Sequence, residues 1–353
     1  MEYVLVSAGA LRAACARLLE ANGVPRDKAA LVADALVDSD LRGVESHGVL
    51  RLETYLEHVS VGNIDPHGDC LVVSSRGVVM VADGNNGFGQ VVGRQAMGTA
   101  IEVARQHGAS LVLVKNSNHL GSLAYYAGLA CEHDMIGIAL SNASAVMAPW
   151  GGMGNHIGNN PLAVAVPLDG EPAIILDISM SVAARGKIMD LFNKGERIPA
   201  GWALGPDGRA TTDPGEALAG SLMPFGGHKG SGLAVIVEVL TAVLSGSPFG
   251  RELGRVFPVE RGKRQSFSHL IGAVAIESFA AVAGFYRHLR QYLDYVKACP
   301  VAPGHAEVLL PGELELRTRE RRQREGIPVP VEVWRRLEAR AARHGFALSP
   351  GEM

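Results

Sequence analysis

The chain has 353 residues, of which 47% are hydrophobic and 20% are charged, and its formal net charge is −3. This length exceeds the usual single core and predicts one large domain with a smaller partner. The near-neutral charge gives no electrostatic reason to expect nucleic acid or a membrane as a partner, and no apolar run is long enough to span a bilayer.

Two helices open the chain. Ser7 is a candidate N-cap for a helix that ends at Asn22-Gly23, and Asp27 is a candidate N-cap for the second helix. The four cysteines are far apart, lack CxxC spacing and indicate reduced, buried thiols. Because a signal-peptide pattern is also missing, the sequence predicts a cytoplasmic protein.

The segment from Asp40 to Tyr55 brings several reactive groups together, because it contains Ser46, His47 and Arg51. An imidazole is the side chain best suited to proton transfer near neutral pH, and a guanidinium fork suits a carboxylate. The segment therefore predicts a site that holds a small acid and moves a proton on it. The alternative is an ordinary loop followed by a solvated helix face.

The local geometry of this segment is also open to prediction. Gly48 would let the backbone come close to a ligand, and a helix from Leu50 onward would place Arg51 and Tyr55 on one face. Because Ser46 and its neighbour are adjacent in the sequence, we expect their side chains to diverge, which argues against a Ser–His dyad.

A sheet region follows from Leu71. The stretches 71–74 and 78–82 are predicted strands, and Gly87, Gly89 and Gly93 then resemble a dinucleotide-binding fingerprint. The spacing is G-x-G-x-x-x-G, and no acidic residue ends the following strand. A tight strand-to-helix turn is therefore the favoured interpretation.

Three later stretches are candidate sites. The strand 109–114 leads through Asn118 and His119 to a helix N-terminus, where an anion is favoured. Asp177 ends a hairpin, either as a functional carboxylate or as a cap. His228 and Lys229 lie in a Gly-rich helix entry, which predicts either a phosphate-binding loop or an exposed lysine.

The remaining stretches are predicted to be less ordered. The segment 185–219 is interpreted as a long surface excursion, 251–267 as a loop, and the basic run 317–324 as a solvated surface before a helix. The sequence has neither H-x-x-x-H nor C-x-x-C spacing, and Ser46 misses the nucleophile-elbow spacing. We therefore expect neither a metal site nor a hydrolase.

Seven motifs occur together in one order, and the set resembles the type 2 malate/L-lactate dehydrogenase family, which includes sulfolactate and ureidoglycolate dehydrogenases and a cyclic-imine reductase. The resemblance covers about residues 5–345, although the stretch 251–275 departs from the usual pattern. The motifs are Arg42-Gly-x-x-Ser-His-Gly-x-x-Arg51, Gly84-Asn-Asn-Gly-Phe-Gly-Gln, Asn118-His-Leu-Gly121, Gly158-Asn-Asn-Pro161, Asp177-Ile-Ser-Met-Ser181, Thr211-Thr-Asp-Pro214 and Gly226-Gly-His-Lys-Gly230.

The resemblance implies an α/β fold that is not Rossmann. A large mixed-sheet, three-layer NAD(P)-binding domain would span residues 71–284, and a helical domain would combine residues 1–70 and 285–353. It also implies a homodimer whose active site lies near the subunit interface.

The resemblance further implies hydride transfer between NAD or NADP and a small 2-hydroxy or 2-oxo acid. The alternatives are a cyclic-imine acid reductase and a catalytically silent nucleotide-binding regulator. Carried over by motif, the catalytic candidates are His47, Ser46, Asp177 and His119, with the choice of acid/base open between His47 and His119. The substrate candidates are Arg51 and Arg185, and the cofactor candidates are His119, Leu120, Gly121, Ser122, Asn159, Asp177, Ile178, Ser179, His228 and Lys229.

Overall fold

A computed structural model describes residues 2–351 of the chain. Within that range the helices are α1 Ala8–Ala21, α2 Arg26–Leu41, α3 Leu52–Ser60, α4 Gly89–His107, α5 Ala124–Cys131, α6 Arg185–Lys194, α7 Pro214–Ala219, α8 His228–Glu238, α9 Val282–Lys297, α10 Glu313–Glu325 and α11 Val331–Arg343. The strands are β1 Tyr3–Val6, β2 Leu71–Arg76, β3 Val79–Asp83, β4 Ala109–Ser117, β5 Met135–Ser141, β6 Leu162–Leu168, β7 Glu171–Ile178, β8 Ala203–Leu204, β9 Ala210–Thr211, β10 Ser221–Leu222, β11 Phe267–Ala275 and β12 Ile327–Pro330.

A seven-stranded sheet in the order β2-β3-β4-β11-β5-β6-β7 forms the centre of the molecule. Its β3–β4 pair is parallel and its other pairs are antiparallel, so the sheet is mixed, as the sequence predicts. Strand β11, which follows β10 in the sequence, lies between β4 and β5 in the sheet. This order differs from a doubly wound parallel sheet and confirms a fold that is not Rossmann.

The sheet is covered on both faces because its strands alternate between two cores. Ala139 and Ile271 face a core that contains α4 and α5. Leu140 and Leu270 belong to the other core, which contains α8. The arrangement is therefore three layers, helix on sheet on helix.

Helices from both ends of the chain share a third core. Leu11, Leu36 and Leu56 of the first three helices pack with Trp334 and Leu337 of α11. Strands β1 and β12 were not predicted from the sequence, and they pair antiparallel across more than 300 residues. The predicted division into a helical domain of residues 1–70 and 285–353 and a sheet domain of residues 71–284 stays a prediction. Residues 1, 352 and 353 of this division lie outside the described residues.

The segment 185–219 is not the surface excursion that its composition predicts. It forms α6, α7, β8 and β9, and Ile188, Ile198 and Ala217 are buried in the α8-side core. Strand β10, which follows directly, completes a small β10-β8-β9 sheet. The many Gly, Pro and Thr residues of the segment obscure the short periodicity of elements only two to ten residues long.

The basic run 317–324 lies inside α10, and the predicted solvated surface is confirmed for only part of it. Arg317, Arg321 and Arg324 are exposed, whereas two other arginines contact protein. Arg319 pairs with Asp38, and Arg322 is only 8% exposed. These arginines hold the C-terminal end of α2.

The four cysteines are free, but only Cys15 is buried and Cys299 is exposed, which corrects the expectation of uniform burial. No helix within residues 2–351 is long and apolar enough to cross a membrane. The cytoplasmic location stays a prediction.

Candidate active site

The reactive segment forms two single turns of 3-10 helix, Glu45–His47 and Val49–Arg51, separated by Gly48. The first helical residue of α3 is Leu52, so Arg51 precedes that helix rather than lying inside it as predicted. Tyr55 follows one turn later and is buried. The segment therefore enters α3 through a tight double turn that presents successive side chains in different directions.

Asp40 fixes the geometry of this double turn. Its Oδ2 accepts a hydrogen bond of 2.8 Å from the Val49 N–H. A Cβ atom at Gly48 would lie 1.9 Å from Asp40 Oδ1, so this contact requires the glycine. The close approach of a ligand at Gly48 stays a prediction. Burial raises the pKa of Asp40 to about 7.

Arg322 of α10 supports the same turn from outside. Its guanidinium donates to the Asp40 carbonyl oxygen at 2.5 Å and to Glu45 Oε1 at 2.5 Å. Glu45 is the residue before Ser46, so a helix from the end of the chain stabilises the start of the reactive turn.

Ser46 and His47 do form a hydrogen-bonded pair, which overturns the prediction that their side chains diverge. Ser46 Oγ lies 2.9 Å from His47 Nδ1. The 3-10 turn bends the backbone enough for adjacent side chains to meet. When Nδ1 carries the proton and donates to Ser46 Oγ, the lone pair lies on Nε2, where a base is useful.

Arg51 lies beside this pair. Its Nε donates to the Ser46 carbonyl oxygen at 2.7 Å, and its guanidinium carbon is 4.5 Å from the centre of the Phe257 ring. Burial lowers the pKa of Arg51, yet no carboxylate within residues 2–351 forms an ion pair with it. A half-buried cation without an anion is suited to an anionic ligand.

His119 meets His47 from the other side of the site. The two rings stack with centroids 5.5 Å apart at an angle of 27°. Tyr55 Oη lies 2.8 Å from His119 Nδ1, so the second imidazole is also held through Nδ1. The structure thus brings His47, Arg51, Tyr55 and His119 together.

Both imidazoles favour the neutral form. Burial and then the charge of Arg51 lower the pKa of His47 to about 4. Burial, followed by His47 and Arg51, lowers the pKa of His119 well below its ordinary value. Two neutral imidazoles next to a cation are available as proton acceptors at neutral pH.

The glycines of the apparent fingerprint serve this site by close packing. A Cβ atom at Gly89 would lie 2.3 Å from the His119 carbonyl oxygen, and one at Gly87 would lie 2.6 Å from the Gly68 carbonyl oxygen. The start of α4 therefore lies directly against the His119 loop. This confirms the interpretation of a tight strand-to-helix turn.

Asp177 does not contact the His47 ring, so it is Ser46 that orients this imidazole. Asp177 Oδ2 accepts hydrogen bonds from Ser122 Oγ at 2.8 Å and from the Ala124 N–H at 2.9 Å. Asp177 therefore caps the start of α5, which lies earlier in the chain, and not the segment that follows it, as the capping alternative predicts. Its role as a functional carboxylate stays a prediction.

The cofactor candidates lie on a series of segments in contact with one another, from the His119 loop to the start of α8. We call this series the rim. Gly121 has a φ of +81°, which glycine tolerates, and it connects the buried Leu120 to Ser122. The Met180 N–H donates to the Asn159 carbonyl oxygen at 2.8 Å. Ile178 and Ser179 lie between Asp177 and this contact.

The far end of the rim is the N-terminus of α8. The Phe225 N–H donates to the Met180 carbonyl oxygen at 3.0 Å, and a Cβ atom at Gly230 would lie 2.8 Å from the same oxygen, so the start of α8 packs against the residue that follows Ser179. The His228 and Lys229 side chains are exposed, and no side chain caps this helix N-terminus. The backbone N–H groups of Lys229, Gly230 and Ser231 are already bonded to carbonyl oxygens of residues 225–227. The features that favour a phosphate here are therefore the exposed lysine and the positive end of the helix dipole.

Arg185 approaches the site from α6. A Cβ atom at the next residue, Gly186, would be 3.9 Å from Ser46 Cβ. Arg185 Nη2 donates to the Leu218 carbonyl oxygen at 2.6 Å, and burial together with the nearby Arg255 lowers the pKa of Arg185. Neither arginine is ion-paired with a carboxylate among the described residues.

Three residues of this site, Phe257, Gln265 and Asp40, were not predicted as functional from the sequence. Phe257 and Gln265 lie in a stretch interpreted only as a polar loop, and Asp40 served only as the boundary of the segment. Phe257 had one available signal, since it is a large aromatic residue in a stretch rich in charges.

The chain is similar to known proteins over nearly its whole length. A family model described as malate/L-lactate dehydrogenase matches residues 6–338. Malate dehydrogenase of Pyrococcus abyssi is 36% identical over 351 residues, which are 97% of this chain and 96% of that protein.

Two further relatives extend the comparison. (2R)-3-sulfolactate dehydrogenase (NADP(+)) of Chromohalobacter salexigens is 37% identical over 92% of this chain and 94% of that protein. The solved structure of sulfolactate dehydrogenase from Methanocaldococcus jannaschii superposes with a TM-score of 0.91, covers 98% of each chain and is 35% identical.

Proposed function

The chain belongs to the malate/L-lactate dehydrogenase family, and from this membership we propose that its substrate is a small 2-hydroxy acid with a second anionic group, such as malate or sulfolactate. It is an NAD(P)-dependent dehydrogenase that acts on a small 2-hydroxy or 2-oxo acid. The observation that supports the finer proposal is the group of unpaired guanidiniums around Ser46 and His47.

We assign each step at the acid to a residue of the double turn. Arg51 binds the carboxylate of the substrate through its guanidinium fork. His47 accepts the hydroxyl proton at Nε2, while Ser46 Oγ keeps its Nδ1 oriented at 2.9 Å. A bound NAD or NADP would supply the acceptor for the hydride that leaves the same carbon. In the reverse direction, protonated His47 returns the proton to the developing alkoxide.

We place the nicotinamide end of the cofactor next to His119, Leu120 and Gly121. Ser122, Asn159, Asp177, Ile178 and Ser179 would contact its middle. His228 and Lys229 would bind a phosphate at the N-terminus of α8. The contacts that join these residues along one rim support this order.

The second anionic group of the substrate would lie toward Arg185. Arg185 and Arg255 are like charges close enough to lower the pKa of Arg185, and neither has a carboxylate partner among the described residues. Two such cations are stabilised when an anion lies between them. A monocarboxylate such as lactate would leave them unpaired.

We expect Arg185→Ala to lower kcat/KM for oxaloacetate and sulfopyruvate by about 10–100-fold, because a charge-assisted hydrogen bond contributes roughly 1.5–3 kcal/mol. The kcat/KM of this variant for pyruvate should stay within about threefold of the wild-type value. The measurement is the absorbance of NADH and NADPH with each acid. Lys187→Ala, on the exposed side of the same helix, is the control, and an equal loss for pyruvate would contradict the proposed role.

The same assay separates the alternatives. Turnover of cyclic imine acids in preference to every 2-oxo acid would favour the imine reductase. Binding of NADH without turnover of any acid or imine would favour a silent regulator.

We also propose that two copies associate through α8. Leu233, Ile236, Val239, Val243 and Leu244 lie along this helix and its continuation and are 41–63% exposed. A continuous apolar stripe of this kind is typical of a subunit interface. Because α8 begins at His228 and Lys229, such an interface would lie near the cofactor site.

Sedimentation velocity should therefore give about twice the 37.2 kDa mass of the chain. Ile236→Glu places a charge in the stripe and should give the single-chain mass. Arg76→Glu, on the exposed strand β2, should leave the mass unchanged. A wild-type protein of 37.2 kDa at every concentration would exclude this interface.

A further inference from the structure

One irregular segment contacts both halves of the site. We call residues 254–266, between Leu253 and β11, the 254–266 loop. Phe257 of this loop lies over the Arg51 guanidinium, and Gln265 Oε1 accepts the His119 backbone N–H at 2.7 Å. The loop lies within residues 251–275, the stretch for which the sequence analysis expects a departure from the family pattern.

The two ends of the 254–266 loop are held close together. A Cβ atom at Gly254 would lie 2.3 Å from the Arg264 carbonyl oxygen, and Ser144 Oγ donates to the Gly254 carbonyl oxygen at 2.9 Å. The residues between these ends form no helix or strand. Their position therefore depends on side chains from the neighbouring elements.

His58 of α3 is the centre of these anchoring contacts, and it is fully buried. Its Nε2 lies 2.9 Å from the Val256 carbonyl oxygen and 3.1 Å from Gln265 Nε2. Asn63, also fully buried, donates through Nδ2 to the Glu260 carbonyl oxygen at 2.7 Å and reaches His58 Nδ1 at 3.3 Å. Two positions of the loop, Val256 and Glu260, are thus tied to one imidazole and its partner.

The donor and acceptor roles follow from Asn63. The amide nitrogen of Asn63 can only donate hydrogen bonds, so His58 Nδ1 must accept the bond between them. The ring proton of neutral His58 is therefore on Nε2. Nε2–H then donates to the Val256 carbonyl oxygen. The Gln265 amide nitrogen, 3.1 Å from the same Nε2, is also a donor and forms no hydrogen bond with it in this tautomer. Val256 immediately precedes Phe257, so the bond from Nε2–H to Val256 fixes the backbone that carries the aromatic ring over Arg51.

We propose that His58 is a positioning residue: by anchoring the 254–266 loop it holds Phe257 against Arg51 and so sets the affinity of Arg51 for the substrate carboxylate. The inference rests on the proposed role of Arg51 as the carboxylate ligand. His58 contacts neither Arg51 nor His47 directly. Its effect is transmitted through the stacked ring, because a cation over an aromatic face is held in one orientation.

Steady-state kinetics of four variants test this inference. His58→Leu should raise KM for the 2-oxo acid by about tenfold with kcat within threefold and an unchanged Kd for NADH. His58→Gln should restore KM, since its amide can donate to the Val256 carbonyl oxygen. Phe257→Ala should raise KM to the same extent, and the double variant His58→Leu/Phe257→Ala should add no further increase.

Two kinetic results would contradict this role of His58. Additive effects of the two substitutions, or a loss of kcat at unchanged KM, would overturn the inference. Phe257 is 40% exposed, so Phe257→Ala and its combination with His58→Gln remain informative where His58→Leu unfolds the protein.

Limited proteolysis gives a readout that does not need turnover. Arg261, Lys263 and Arg264 of the loop are exposed. Trypsin should cleave there faster in His58→Leu than in the wild type or in His58→Gln. Equal cleavage rates would show that His58 does not anchor the loop. Faster cleavage with no turnover of any acid in the wild type would keep the anchoring role and remove only the proposed function.

Discussion

His47→Ala is expected to lower kcat by about 10²–10⁴-fold, the range for loss of a general acid or base. The Nδ1 of His47 is held by Ser46 at 2.9 Å, so its other nitrogen is available to the substrate hydroxyl. Alanine removes that nitrogen and leaves Arg51 in place, so KM should change little. Single-turnover measurement of NADH formation reports the chemical step directly.

His119→Ala and His67→Ala are the informative comparisons. His67 is exposed in the turn after α3, so its loss should leave kcat unchanged. His119 stacks on His47 at 5.5 Å and is held by Tyr55. Near-normal turnover in His47→Ala together with a large loss in His119→Ala would transfer the acid/base role to His119.

The pH profile provides a check on the same assignment. Oxidation of a hydroxy acid needs the neutral imidazole, which exists above its pKa. Because the pKa of His47 is lowered to about 4, kcat/KM for oxidation should stay level from pH 8 to about 5 and fall only as the pH approaches 4. A decline centred near 6.5, the ordinary pKa of histidine, would contradict a buried base next to Arg51.

Arg51→Lys is expected to raise KM for the acid by about 10–100-fold and to change kcat by less than about threefold. The guanidinium is positioned by its bond to the Ser46 carbonyl oxygen and by the Phe257 ring. Lysine keeps the charge but loses the fork that binds a carboxylate through two parallel hydrogen bonds, each worth roughly 1.5–3 kcal/mol when charge-assisted.

Arg76→Lys is the matched control for this substitution, because Arg76 is exposed on β2 and is not among the residues assigned to the site. The Kd for NADH should be the same in both variants and in the wild type. An unchanged KM in Arg51→Lys would remove this residue from the substrate site.

The structure gives α3 an organising role. Arg51 lies at its start, Tyr55 one turn later holds His119, and His58 another turn later anchors the 254–266 loop. Spacing by three or four residues places these side chains along one side of the helix. A single nine-residue helix thus sets the positions of three parts of the site.

The sequence by itself determined the elements whose signals are local. The hairpin around Gly170, the strand-to-helix turn at Gly89 and the Ser7 cap of α1 follow from alternation, glycine and capping preferences, and the structure has all three. The reactive segment was also visible, because unusual side chains were crowded into a few residues. Family motifs extended this to the class of enzyme.

Only the tertiary structure decided how these groups are paired. The Ser46–His47 bond depends on a turn that Asp40 and Arg322 impose from other helices. The stacking of His47 on His119 joins positions 72 residues apart, and the β1–β12 pair joins the two ends of the chain. Local propensity contains no information about such contacts, because their free energy comes from burial and hydrogen bonding between elements that meet only in the folded chain.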